Sequence, residues 1–299
     1  MKKNFFFAAL ASRTFAIAGC ANGKNKGDAK DGDSTGNEVS KGEKGGKLGP
    51  MGSFKMAEGK PLKDVYNIAY VLYPNSYEEA MEDGEDINGM TTIYYKNTVA
   101  DAGEKNTKLS GSDIRYPNSL LIPIYKDAKA KKGDVVLTWW QSGSGLQRAI
   151  VTDDSDPTQP RVHYLDLDYE GEGKGMAGEH DNEQLEPNSF VVLKDGEMQQ
   201  GAPIAVNVDG ELKNGVLINV DGDKVIYAGF AGTLTEVDKS QVKVVPLKPN
   251  FGVGDNVKGV FVGNFTHDYK VTKIDKNRGR VWVKADGEEK ILSILEVMK

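Results

Sequence analysis

From residue 54 onward the chain sustains no apolar face at helical spacing, and that rules out most folds open to a sequence of this length. Instead, short runs rich in Val, Ile, Tyr and Trp alternate with turns of Gly, Asp, Asn and Pro. Such runs read as strands separated by turn signals. The competing signal, apolar residues recurring every three to four positions, is nearly absent. The stretch that best reads as helix is short, residues 125–132. The expected fold class is therefore all-β.

The runs recur in a similar order, which suggests internal repetition. In residues 131–197 they are Gly133-Asp134-Val135-Val136-Leu137, Arg148-Ala149-Ile150-Val151, Arg161-Val162-His163-Tyr164 and Gln184-Leu185-Glu186-Pro187. In residues 198–248 they are Ile204-Ala205-Val206, Asn214-Gly215-Val216-Leu217-Ile218, Lys224-Val225-Ile226-Tyr227 and residues 241–246. In residues 249–299 they are Gly254-Asp255-Asn256-Val257, Tyr269-Lys270-Val271-Thr272, Arg280-Val281-Trp282-Val283 and residues 294–297. Residues 54–130 fit more loosely, with strands expected at 67–72, 80–81 and 92–95.

The Gly-Asp opening strand, the Trp139-Trp140 pair and the Arg-Ala-Ile-Val and Val-His-Tyr strands resemble Tudor or SH3-like small barrels. The resemblance implies three or four tandem barrels, at 54–130, 131–197, 198–248 and 249–299. Short strands must curl to bury one face, because a lone hairpin is not stable. A single continuous β-sandwich is the competing architecture. On the tandem reading the last unit carries its own core of Val257, Val271, Ile274, Val281, Val283, Ile291 and Ile294.

The N-terminus is a different kind of sequence. Lys2 and Lys3 precede an apolar run at residues 5–11, and small residues lead to Ile17-Ala18-Gly19-Cys20, which holds the chain's sole cysteine. That order is a secretory signal over residues 1–19, and its ending resembles the lipobox of bacterial lipoproteins. The resemblance implies cleavage before Cys20, acylation of its thiol by fatty acids such as palmitate, and a membrane-anchored lipoprotein. The expected location is the outer membrane, facing the periplasm or the cell surface. Arg13 departs from the pattern, since an arginine in an apolar segment costs about 2.5–3.5 kcal/mol on insertion scales. The apolar stretch is too short for a transmembrane helix, which needs ~18 residues. Residues 20–53 are expected to be a disordered tether. Within them, residues 21–49 hold six Lys, five acids and no aromatic, too little apolar surface to offset ordering entropy.

Charge narrows the partners. The chain carries 38 basic and 44 acidic residues, net −6. Loss of Lys2, Lys3 and Arg13 with the signal removes three cations and takes the balance to −9. An acidic body does not favour nucleic acid, where affinity rests on phosphate neutralisation. It does not favour adsorption to anionic lipid either, so the membrane is reached through acyl chains. With Cys20 lipidated, the body has no disulfide and no thiol nucleophile.

Adjacent strand residues point to opposite faces, so one of Trp139 and Trp140 is expected in the core and the other on a rim. The Tudor resemblance implies an aromatic cage for a cation, here Trp140, Tyr164 and Tyr169. Asp166-Leu167-Asp168-Tyr169-Glu170-Gly171 opens like a calcium loop, which makes Asp166, Asp168 and Glu170 candidate ligands, although position 177 is Ala where a bidentate acid is needed. No P-loop or H-E-x-x-H occurs, and His163, His180 and His267 lack metal-ligand spacing. The function expected is non-enzymatic binding of an envelope or extracellular protein, a glycan or a cell-wall partner, with no cofactor. A structural spacer and a cell-wall-acting enzyme are the alternatives.

Overall fold

In the computed structural model, which describes residues 47–48, 60–62 and 65–299, the protein is all-β. Residues 1–19, Cys20 and all of the expected tether except the backbone of Lys47–Leu48 lie outside the described residues. That pair runs parallel to Ile114 and Arg115 in the sheet, so strand pairing begins before residue 49.

Residues 60–130 form two small sheets. In one, Ile68–Pro74 lies between Tyr94–Asn97 and Ile122–Tyr125. In the other, Val99–Ala102, Asn106–Leu109 and Ile114–Pro117 pair in sequence order. The strand expected at residues 80–81 is instead the middle of a helix, Ser76–Asp83. Glu78 and Glu79 suit the positive N-terminal end of that helix, and Gly84, at φ 70, closes it by donating its amide to the Ala80 carbonyl. Tyr77 and Ala80, three apart, form its buried face. The helix expected at 125–132 does not form. Asp127 is left-handed at φ 63, and the Ala130 and Lys131 amides bond to the Pro157 carbonyl and the Asp134 carboxylate.

Residues 131–197 form a five-stranded sheet in the order Glu183–Gln184, Arg161–Tyr164, Leu146–Asp153, Val135–Trp139, Val191–Val192. Residues 198–299 share one larger sheet, whose two halves meet where Lys213 pairs with Asn264. One strand in each half is long, Glu211–Asp221 and Asn264–Asp275, and each carries a register shift, at Leu217/Asn219 and Val271/Lys273. An extra residue on one side of a ladder increases twist and bends the strand, so one long strand can serve two partners.

A common device opens three of the stretches. The amides of Gly133, Gly201 and Gly254 donate to the carbonyls of Val151, Leu217 and Val271, and each of those residues donates its own amide back to the residue after the glycine. The three glycines have φ of 90, 86 and 93, a region that penalises any Cβ. The sequence displayed two of these openings as Gly-Asp; at Gly201-Ala202 the Asp is missing and the third was not legible.

The core is shared. One apolar cluster takes in Leu72 and Ile124, Leu137 and Ile150, Ile218 and Leu234, and Val271 and Val281. Val257, Val283 and Ile294, expected to serve the last stretch alone, belong to the same cluster, while Ile291 is only half-buried. Smaller clusters sit within 131–197, around Tyr164 and Phe190, and within 198–248, around Ile204 and Tyr227. Among the described residues no helix is long and apolar enough to cross a membrane.

Candidate functional site

The expected aromatic cage is a correction. Trp139 lies in the large core, edge-on to Tyr70 at 5.0 Å, with the Lys96 ammonium 4.6 Å from its ring centre. Trp140 points the other way, as strand alternation requires, and packs half-buried on the smaller cluster with its ring 5.1 Å from His180. Tyr164 has no exposed surface. Its hydroxyl accepts from the Gln141 amide at 3.1 Å, and burial pushes its pKa up. Tyr169 is 6% exposed and edge-on to His163. Two of the three rings face inward, so they form no open cage. The expected metal loop is also reassigned. Asp166 accepts from Arg148 Nε at 2.9 Å, Arg148 Nη2 at 2.5 Å and the Arg148 amide at 2.6 Å. A carboxylate held by a guanidinium in this way is a structural partner. No cluster of three potential metal ligands occurs among the described residues.

Tyr169 and His163 belong instead to a buried polar network that sequence reasoning missed. Arg280, 3% exposed, donates Nη2 to the Tyr164 and Leu167 carbonyls at 2.5 and 3.1 Å. Its Nε donates to His163 Nε2 at 3.2 Å, and its guanidinium lies 5.0 Å from the Tyr169 ring centre. His163 Nδ1 is 2.8 Å from Asp181 Oδ1, and Arg278 Nε donates to Asp181 Oδ2 at 2.9 Å. With Nε2 accepting, His163 is neutral and donates through Nδ1. Burial, then the Arg280 charge, pulls its pKa down to about 4. Burial alone would raise the Asp181 pKa, but donation by Arg278 and His163 outweighs it and the net shift is downward.

A cleft of about 620 Å³ opens beside this network. Gln147 and Arg148 from strand Leu146–Asp153 line it, together with Asn214, Asp166 and Glu296. Gln147 and Arg148 are 8% and 3% exposed. Three buried polar atoms here, Gln147 Oε1, Arg148 Nη1 and Asn214 Oδ1, have no hydrogen-bond partner among the described residues. The Glu296 side chain caps Ser293, and burial, with Asp166 nearby, raises its pKa.

The rim is apolar and strained. Phe230 is 64% exposed, Val262 61% and Ile93 47%. Phe230 is followed by Ala231 at φ 55, and Val262-Gly263 forms a two-residue turn with φ of 46 and 78. A β-branched residue at positive φ is a genuine outlier, and such strain clusters at functional sites. At Gly232 a Cβ would stand 2.1 Å from the Thr92 carbonyl oxygen, so that close approach requires glycine.

No protein-family model and no curated protein matches this sequence.

The cleft therefore stands on its own geometry. Its volume falls in the range of small-molecule sites, about 300–1,000 Å³, and so does its mix of apolar wall and a few convergent polar groups. The one signal in the sequence is Phe230-Ala231-Gly232, an aromatic in a turn, which sequence reading passes over as an ordinary loop.

Proposed function

We propose that the protein is a lipid-anchored envelope lipoprotein whose body acts by binding, not by catalysis, and that the cleft at Gln147, Arg148 and Phe230 is its binding site. The anchor rests on Ile17-Ala18-Gly19-Cys20, with the outer membrane as the proposed location and a protein, glycan or cell-wall component as the partner. The body is read as tandem SH3-like units fused around one core. The threefold glycine opening supports that reading. The observation that carries the binding function is the cleft itself, which is lined by Gln147, Arg148 and Asn214 and by the exposed aromatic Phe230.

Two measurements test this. Fatty-acid-analogue labelling of cells should mark the wild type and not Cys20→Ala; equal label on both would remove the anchor. The full chain should retain an envelope component that Phe230→Ala loses. Retention unchanged by that substitution would move the site elsewhere, and no retention at all would favour the spacer reading.

A further inference from the structure

We propose that the cleft takes a neutral oligosaccharide, seated across Phe230 with a sugar unit on each side. This rests on the cleft being the binding site and adds the class of its ligand. The first observation is shape. A second hollow, of about 330 Å³, lies against the first, and the two share Asn214, Phe230, Val262 and Gly263 as lining. The two hollows thus flank Phe230 as their common wall, and an elongated ligand of repeating units that crosses Phe230 reaches both.

The second observation is chemistry. A sugar ring presents polarised C–H groups on its faces and hydroxyls around its edge. The exposed Phe230 ring offers a negative π face to the C–H groups. The hydroxyls each donate and accept, and they meet groups with the same double capacity: the amides of Gln147, Asn214 and Asn264 and the hydroxyls of Thr233 and Thr235.

The third observation is charge. Arg148 is already paired with Asp166. The second hollow is lined by Lys213 and Glu211, and the first also by Glu296, whose buried carboxyl is shifted toward the neutral form. A phosphate-bearing or carboxylate-bearing chain finds no surplus cation here, and a basic peptide finds no acidic stripe. A neutral chain fits this balance, since desolvating it leaves no unpaired charge.

The test uses the full chain in detergent micelles. It is passed over an array of neutral oligosaccharides built from hexoses and N-acetylhexosamines, from monomers to hexamers, beside carboxylated and phosphorylated oligosaccharides and a random peptide array. At least one neutral tetramer should bind, at least ~10-fold more tightly than its monomer, because both sides of Phe230 are used. Phe230→Ala should weaken it at least ~10-fold. Since that ring is exposed, its melting temperature should hold; Asn214→Ala is the second variant should it not. Blank neutral spots, a preference for anionic or peptide spots, or affinity indifferent to both variants would overturn the proposal. Envelope capture that depends on Phe230 beside a blank sugar array overturns the saccharide and leaves the binding site standing. Failure of both overturns both.

Discussion

Val262 carries the clearest cost borne by one residue. Its φ of 46, followed by Gly263 at 78, is the geometry of a mirror-image hairpin turn joining Phe261 to Asn264. That turn favours Asn-Gly, because an asparagine side chain tolerates the left-handed region and a β-branched one does not. Val262→Asn is therefore expected to stabilise the full chain by about 1 kcal/mol, read as a higher urea midpoint. A midpoint that stays put would mean the turn relaxes at no cost. The turn was not legible in the sequence for the same reason: a valine argues against positive φ. The inward turn of Tyr164 and Tyr169 was hidden differently. Alternation gives two faces for Arg161–Tyr164, but only distant residues decide what covers each: Arg280 meets His163 on one, and Val136, Ala149 and Phe190 pack with Tyr164 on the other.

At the scale of elements, Arg280 and His163 act as a latch between strand Arg280–Ala285 and strand Arg161–Tyr164. Arg280→Met should cost at least ~3 kcal/mol, because it leaves the Tyr164 and Leu167 carbonyls and His163 Nε2 buried and unpaired. The latch is also sensitive to pH. The folded His163 pKa lies near 4, below the ordinary 6.5, so the unfolded chain takes up the proton first as pH falls. The contribution is fully present above pH ~6.5, shrinks between 6.5 and 4, and stays lost below that. The whole drop is worth roughly 3 kcal/mol at most. Chemical unfolding at stepped pH should show wild type losing more stability over this window than His163→Gln. Parallel curves would mean another group governs the acid limb. Strand positions were legible where a strand is its own run: in 131–197 the third strand sits at Arg161–Tyr164 as expected, while the opening and second strands, expected at 133–137 and 148–151, run over Val135–Trp139 and Leu146–Asp153. The helix Ser76–Asp83 was missed because eight residues with three buried positions, Ser76, Tyr77 and Ala80, show too little periodicity to compete with a short strand.

At the scale of the molecule, the shared core changes what a fragment can do. Residues 248–299 keep Val257, Val271, Val281 and Val283, but these pack in one cluster with Leu137, Ile218 and Leu72. Cut free, the fragment exposes that face, loses the Arg280 latch and the Lys213–Asn264 pairing, and at about 50 residues has little reserve. Its amide spectrum should be collapsed, and the full chain should unfold in one transition seen alike by tryptophan fluorescence and circular dichroism. A dispersed fragment spectrum would mean the last stretch is self-sufficient.

What the residues alone determined is local: an all-β body, from period-two runs and Gly-rich turns, because side-chain alternation is a property of each strand by itself. The glycine openings at Gly133 and Gly254 were visible for the same reason. What only the tertiary structure decided is which face each strand buries, that the stretches fuse around one core, and that Gln147, Arg148, Asn214 and Phe230 converge on one groove. Those outcomes depend on contacts between residues dozens to more than a hundred positions apart. A strand cannot encode by its own pattern which distant sheet will cover it.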